Sequence, residues 1–347
     1  MTDAKDDARL RALQLIDDDG HRVGARLAQA LGVSRQVASG YLQAMVADGW
    51  LDAEGTTRAR TYRLKPLATA EQAFIREGLS EDQVWRDVVA PRVADLPDAV
   101  RSIWHYGATE IINNAIDHSG APTVTVRLQR NALWTEVVVA DEGEGIFLKI
   151  QRALALHDPR EAILELAKGK LTTAPQAHSG EGIFFTSRAM DVFEIVSHHL
   201  HFSHALRRPD AIAEGAADVP GTQVRLRLAN RSDRKLNEVF GAFTETEDFT
   251  FDKTVVPLRL AQHEGEALVS RSQAKRVCNR FEKFKRVELD FAGIEVIGQG
   301  FADEVFRVFA SAHPQIRITP LNTSPAVAQM IRRAVAARQA QTEGGAG

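Results

Sequence analysis

A single cysteine, Cys278, stands in 347 residues, so no intrachain disulfide can form and the fold must rest on packing. No apolar run approaches the length of a membrane span and no secretory leader is recognisable, which makes the cytoplasm the expected compartment. There is no Gly-x-x-x-x-Gly-Lys phosphate loop and no Gly-x-Ser-x-Gly elbow, which removes P-loop NTPases and α/β-hydrolases from consideration. No internal repeat points to a solenoid or propeller. The formal net charge is only -3, which favours no polyanionic or polycationic partner for the chain as a whole; a local basic face remains compatible with it.

What the chain does contain is 44% hydrophobic residues, enough to fill real cores over a length that suits two or three domains. Its most informative stretch is EIINNAIDHS at 110–119, followed by DEGEGI at 141–146, GEGI at 180–183 and Gly-Thr at 221–222. Glu110 and Asn114 are four apart in a helical segment, so both project from one face, and Ile103, Trp104, Ile111, Ala115 and Ile116 are left for packing. Asp141 closes the strand-like TEVVVAD, where an ionised carboxylate only accepts hydrogen bonds and suits an adenine amino group. Gly143 and Gly145 let a base approach the backbone closely. Gly180 and Gly182 precede the apolar run IFFTSRAM, a helix start whose free amides would face phosphate. Thr222, ahead of the alternating QVRLRL, adds a hydroxyl to a base or sugar pocket. Singly, each element is a common turn or a solvated helix face; four in order, each on a suitable kind of secondary structure, point to a nucleotide site.

Residues about 98–230 resemble a GHKL-type ATPase domain, the class shared by gyrase, heat-shock chaperones, MutL, sensor histidine kinases and bacterial anti-sigma-factor serine kinases. The resemblance implies ATP and Mg²⁺ as cofactors. It assigns Glu110 as the water-activating or general-base residue, Asn114 as the Mg²⁺ ligand, Asp141 as the adenine contact, and Gly143, Gly145, Gly180 and Gly182 as nucleotide-cradling turns. The NAIDHS ending is similar to the anti-sigma kinases, whose helix often closes with a histidine at the position of His118. Phe147 to Ser179 would then be the ATP lid, and within it Lys168, Lys170, Thr172, Thr173, His178 and Ser179 are further candidates for phosphate contact. The chemistry is coherent without the family. Mg²⁺ takes few protein ligands in nucleotide sites, so one Asn oxygen plus phosphates suffices, and Glu110 need only orient a water or hydroxyl toward the γ-phosphate.

The amino-terminal 1–66 reads as three helices, ARLRALQLIDD, GARLAQAL and SRQVASGYLQAMVADG, followed by two short strands around a Gly-Thr-Thr-Arg-Ala-Arg tip. In the third helix, Ser34 is the expected cap and Val37, Tyr41, Leu42, Met45 and Val46 the expected buried stripe. That leaves Arg35, Gln36, Ser39 and Gln43 on the outer face. This order resembles a winged helix-turn-helix, with Arg58, Arg60 and Arg63 on or beside the wing, and it implies duplex DNA as a partner. Ten Lys/Arg against nine Asp/Glu make the segment less basic than many DNA binders, so a protein-interaction or dimerisation module is the alternative.

Residues 67–97 read as a helical connector interrupted at Pro91 and Pro97, and 231–249 as a linker. From 250 to 340, strand-like TVVPLRLA, RVELDFAGI and IRITPLN alternate with helical SRSQAKRVCNRFEKF, GFADEVFRVFASAH and SPAVAQMIRRAVAARQ, a βαβαβα run. It resembles the STAS-like domain related to anti-sigma-factor antagonists and implies a protein partner. Such antagonists carry a phosphorylatable Ser where this chain has Ile297-Gly298-Gln299-Gly300-Phe301, which argues against the usual phosphorylation switch. Asp290, Gln299, Asp303 and Glu304 are left as a docking or polar-ligand surface, with Asp303 and Glu304 alternatively ordinary first-turn acids favoured by the helix dipole. The tail 341–347 is expected to be disordered. His198, His199, His201 and His204 read as a polar hairpin, since the ligand spacing of a structural zinc site is missing.

The expected architecture is therefore multidomain α+β: a winged helix, a GHKL α/β sandwich with a mixed sheet and helices on one face, and a small α/β STAS-like domain. The expected function is an ATP-binding regulator, chiefly of transcription, in which ATP and Mg²⁺ binding with slow hydrolysis alters DNA or partner binding. An oligomer is compatible with it. The alternatives are an anti-sigma-type serine/threonine kinase and a non-hydrolysing partner-switching scaffold.

Overall fold

The computed structural model describes residues 2–56, 60–171, 180–206, 208–244, 250–262 and 266–344. It opens with α1 (Thr2–Asp18), α2 (Val23–Leu31) and α3 (Arg35–Ala47), then the antiparallel pair β1 (Leu51–Glu54) and β2 (Thr61–Leu64). Gly32 ends α2 in the left-handed conformation and Ser34 starts α3, its side chain accepting the Val37 amide, so two helices are punctuated within three residues. Leu13, Ile16, Leu27, Ala38, Leu42, Met45 and Leu51 form a core of their own. The buried stripe of α3 differs from expectation at one place. Ala38 lines the core and Val37, one step round the helix, is 47% exposed.

The central part runs through β3 (Ala68–Ile75), α4 (Glu81–Val84), a π turn at Trp85–Val89, α5 (Ala90–Val93), α6 (Asp98–His118), β4 (Thr123–Arg130) and β5 (Trp134–Asp141). It continues with α7 (Ile146–Ala153), α8 (Pro159–Lys168), α9 (Gly182–Ala189), β6 (Val192–Ala205), β7 (Arg208–Ala229) and α10 (Leu236–Gly241). Five strands lie in the order β3-β4-β5-β7-β6. Alternate residues Val124, Val126, Leu128, Val137, Val139, Leu226 and Leu228 pack into the core with Ile103, Trp104, Ile111 and Ala115 of α6. The residues between them carry an ion ladder, Arg227 to Glu136 at 2.8 Å and Arg225 to Glu194 at 3.1 Å. All four pairings are antiparallel, which corrects the expected mixed sheet: β4–β5 and β6–β7 are hairpins, and hairpins set neighbours antiparallel.

Residues 67–97 are more than a connector. β3 is the edge strand of this sheet, and Phe74, Val84, Val88, Val89 and Val93 are buried in its core. The segment 231–249 likewise contains α10, whose Phe240 packs edge-on against Phe185 at 4.7 Å; residues 245–249 lie outside the described residues.

The last part alternates β8 (Lys253–Pro257), α11 (Arg271–Cys278), β9 (Arg286–Asp290), α12 (Gln299–Asp303), a π turn, α13 (Ala310–Ala312), β10 (Arg317–Leu321) and α14 (Pro325–Gly344). Its three strands are parallel in the order β10-β9-β8, as a βαβαβα run requires. Ser270 and Gln273 form a capping box at the start of α11. Helix α14 continues to Gly344, past the expected start of the tail, and 345–347 lie outside the described residues. One continuous apolar cluster, from Phe74 to Ala334, joins the central and C-terminal parts. No described helix is long and apolar enough to cross a membrane.

Candidate functional site

The C-terminal half of α6, the end of β5 and the starts of α7 and α9 surround one cleft, lined by Asn114, Asp141, Gly145, Gly180 and Thr222 among others. A second cleft shares Asn114, Leu171 and Gly180 with it and adds Glu110 and Gly182. Seven of the eight sequence candidates thus line these two adjoining clefts; the eighth, Gly143, donates its amide to the lining residue Asp141.

Helical spacing explains the first pair. Asn114 Nδ2 donates to the Glu110 carbonyl at 2.8 Å, so its amide oxygen is the atom presented to the cleft. The Glu110 carboxylate lies over the first residue of α9: a Cβ on Gly182 would sit 2.0 Å from Glu110 Oε2. A side chain at 182 would push the Glu110 carboxylate aside. Gly180, at φ 73, turns the chain into α9 against the backbone of Leu171, whose amide donates to the Gly180 carbonyl at 3.0 Å. Glu181, at the N-cap position of α9, makes no side-chain capping hydrogen bond, and a helix start of this kind suits a phosphate.

On the opposite wall, Asp141 accepts from the Gly143 amide at 2.9 Å. Burial lifts its carboxyl above the ordinary value, while the backbone amides of Gly143 and Thr222 and the nearby Lys149 charge oppose the rise. Thr222 Oγ1 accepts the Ile146 amide at 3.0 Å, tying β7 to the start of α7. Gly145 is the residue before α7, and His198 closes over it, with Nε2 3.0 Å from the Glu144 carbonyl and Nδ1 3.1 Å from Asp218. Lys149, on α7, lines the same cleft and donates to the His118 carbonyl at 2.6 Å. Motif reading missed Lys149; its place three residues after Ile146 on the helix that follows DEGEG was the available signal.

Other candidates are placed elsewhere. The expected lid is largely helix: α8 is buried over Ala162–Lys168, because its apolar residues face the C-terminal domain as well as the sheet. Lys168 is fully buried, 2.7 Å from Glu165, and donates to the carbonyls of Asn279 and Arg276, so it is not a phosphate ligand. Lys170 donates to the Lys283 carbonyl, and burial lowers its pKa against the pull of Asp252 and Glu181. Thr172, Thr173, His178 and Ser179 lie outside the described residues. The histidines of β6 take separate carboxylates, His204 with Asp210 and His201 with Glu194, and the described residues hold no group of three metal-ligating side chains.

In the N-terminal part, Arg35, Gln36 and Gln43 are exposed on α3 and Ser39 is half-buried. Arg60 lies over the Tyr62 ring, Arg63 is 3.5 Å from Glu54, and Arg58 is outside the described residues.

The strand-end carboxylate, the paired helix residues and two glycine turns on one cleft are the pattern that a comparison with protein families can decide. Residues 59–200 match a histidine kinase-like ATPase domain. That ATPase match implies ATP binding, and it takes in β3 and the 67–97 segment along with the cleft's first wall. Residues 273–328 match a STAS-like domain of unknown function, which fits protein interaction. No curated protein matches the chain.

Proposed function

We propose that the protein is an ATP- and Mg²⁺-dependent regulator whose nucleotide state changes how its flanking parts meet their partners. The observation that carries this reading is the convergence of Asn114, Asp141, Thr222 and both glycine turns on one cleft, with Glu110 in the cleft that adjoins it; all of these but Thr222 fall inside the ATPase match. The donor set fits the nucleotide: a buried acceptor for an amino group, a hydroxyl beside it, a glycine-opened helix start for phosphate, and one amide oxygen for a cation that keeps its other ligands from phosphate and water. When bound, ATP supplies a γ-phosphoryl group that water or a partner hydroxyl can accept. Asp141 accepts from the base, the Gly180–Gly182 turn orients the phosphates, Asn114 Oδ1 holds the cation, and Glu110 takes the proton of the attacking oxygen.

At the other end, α1–α3 with the β1–β2 hairpin act as a winged helix-turn-helix that meets duplex DNA through Arg35, Gln36, Ser39 and Gln43, with Arg58, Arg60 and Arg63 on phosphates. The STAS-like domain meets a protein.

Titration with ATP·Mg²⁺ tests the core of the proposal. Asp141→Asn is expected to weaken binding about tenfold, the cost of a mismatched buried contact. Glu110→Ala is expected to keep affinity and to lower turnover by about 10²-fold or more. Equal affinity in Asp141→Asn and the parent would remove the adenine assignment. Gel retardation with genomic fragments at low salt, with and without nucleotide, tests the DNA contact; no retarded band favours a protein-interaction module. A second reading, a kinase acting on a partner hydroxyl, is favoured by the aromatic cleft of Tyr106, Phe184, Phe185, Phe240 and Phe251 that adjoins Glu110. Label appearing on a partner protein instead of as free phosphate would select it.

A further inference from the structure

The end of α8 is held from the C-terminal domain. Helix ends leave carbonyls without intrahelical partners, and here side chains of another domain take them. Arg280, with its backbone in the left-handed region at φ 65, inserts a guanidinium that is almost wholly buried. It donates to Glu165 Oε2 at 2.9 Å, to the Gly169 carbonyl at 2.9 Å and to the Lys170 carbonyl. Thr254 Oγ1 donates to the Lys168 carbonyl at 2.7 Å, and Lys168 returns the contact to the carbonyls of Asn279 and Arg276. A positive group at a helix C-terminus is also the favourable sign for the helix dipole.

The very next residue is Leu171. Its amide holds the Gly180 carbonyl, and its backbone lies so close that a Cβ on Gly180 would come within 2.4 Å of the Leu171 carbonyl carbon. The path is therefore short and wholly within described residues: Arg280 fixes the carbonyls of 169 and 170, these fix Leu171, and Leu171 fixes the turn that opens α9. Asp141 and Thr222, by contrast, stand on β5 and β7, and Arg280 makes no hydrogen bond to either strand.

We propose that Arg280 is a positioning residue of the ATP site, through which the STAS-like domain sets the geometry of the phosphate-facing turn Gly180–Gly182. The inference rests on the ATP reading above and adds a direction to it: a protein docking on the STAS-like domain and shifting α11 changes the grip on phosphate more than the grip on adenine.

Calorimetric titration of the full chain with ATP·Mg²⁺ and with adenosine tests it, using the parent, Arg280→Lys and Arg280→Ala. Arg280→Ala is expected to weaken ATP about tenfold or more while adenosine changes less than about threefold, and Arg280→Lys to fall between, since an ammonium keeps the charge but loses the fork. Should Arg280→Ala fail to fold, Arg280→Lys and Thr254→Val carry the same expectation at about threefold. Equal ATP affinity across the folded variants overturns the proposal, and so does an equal loss for ATP and adenosine, which is the mark of a merely structural clamp. A parent protein that binds neither ligand overturns the ATP reading itself, a result visible before any variant is made.

Discussion

The ATPase part meets its two neighbours by different chemistry. At the amino-terminal side, the turn between β4 and β5 lays Ala132 and Leu133 against a core that belongs to α1–α3, and Trp134 Nε1 donates to Asp17 at 2.8 Å. At the carboxy-terminal side there is no boundary in the packing: one apolar cluster runs through both domains. Glu165, Lys168 and Arg280 form a charged knot inside it, and Phe251 bridges from Phe184 at 4.7 Å to Phe284 at 5.6 Å. The first junction is a contact between two finished surfaces, the second a shared interior. A nucleotide that moves α8 or α9 therefore acts on the STAS-like domain directly. The N-terminal module sits seven residues along β5 from Asp141, roughly 24 Å at a strand's rise per residue.

The largest effect expected from this contrast is at the knot. Glu165→Gln leaves Lys168 and Arg280 buried without their anion, and breaking a buried pair costs about 3–5 kcal/mol. Denaturant unfolding followed through both domains should show the loss in a single transition; two separated transitions would break the idea of a shared interior.

Ligand protection sharpens the comparison next. At 100 times its Kd, ATP adds at most about 2.7 kcal/mol to the opening of the unit that binds it. Hydrogen exchange should show that protection in α8, α9 and α11, with α1–α3 unchanged. Equal protection of α1–α3 would mean that the three parts open as one.

Smaller again, Trp134→Phe removes one hydrogen bond from the amino-terminal junction and is expected to cost about 0.5–1.5 kcal/mol. Its signature is faster exchange in α1 with ATP affinity preserved; a loss of affinity would show that this junction also feeds the cleft.

The smallest effect lies on a wall that neither neighbour holds. The Glu144 carbonyl, with Asp218 assisting against partial burial, raises the His198 pKa above its ordinary 6.5. A raised imidazole pKa gives a contribution fully present below 6.5 and lost as pH rises through the folded value, because only the protonated ring donates from both nitrogens. Folding stability is expected to decline modestly over that window in denaturant titrations, and His198→Gln to flatten the profile. A stability that rises with pH across that window in the parent, and does so equally in His198→Gln, would remove His198 as its source.

How much of this was legible in the chain follows from which signals are local. Glu110 with Asn114 is a helical spacing and Asp141 a strand end, both local signals, and the two adjoining clefts that these residues line meet at Asn114. The C-terminal alternation likewise gave its three parallel strands, because parallel strands must be separated by helices. Strand β3 was hidden in a connector because an edge strand buries little: only Phe74 in ATAEQAFI is buried, and the alternation that marks a strand is faint. The burial of α8 within the stretch expected as a lid, and of the candidate Lys168, is not legible locally, because burial by a domain a hundred residues away leaves no mark on the local pattern. Val37 was misplaced by a single helical step.

The tryptophans turn the amino-terminal junction into something that can be watched. Of the four in the chain, Trp104 is sealed in the ATPase core, but Trp134 lies 4.1 Å beneath the Arg227 guanidinium, and Trp50 stacks under Arg9 beside the same crevice. Parting the junction wets both indoles and separates Trp134 from Asp17, which shifts emission to the red with no label attached. The chain thus carries its own optical gauge at its amino-terminal junction.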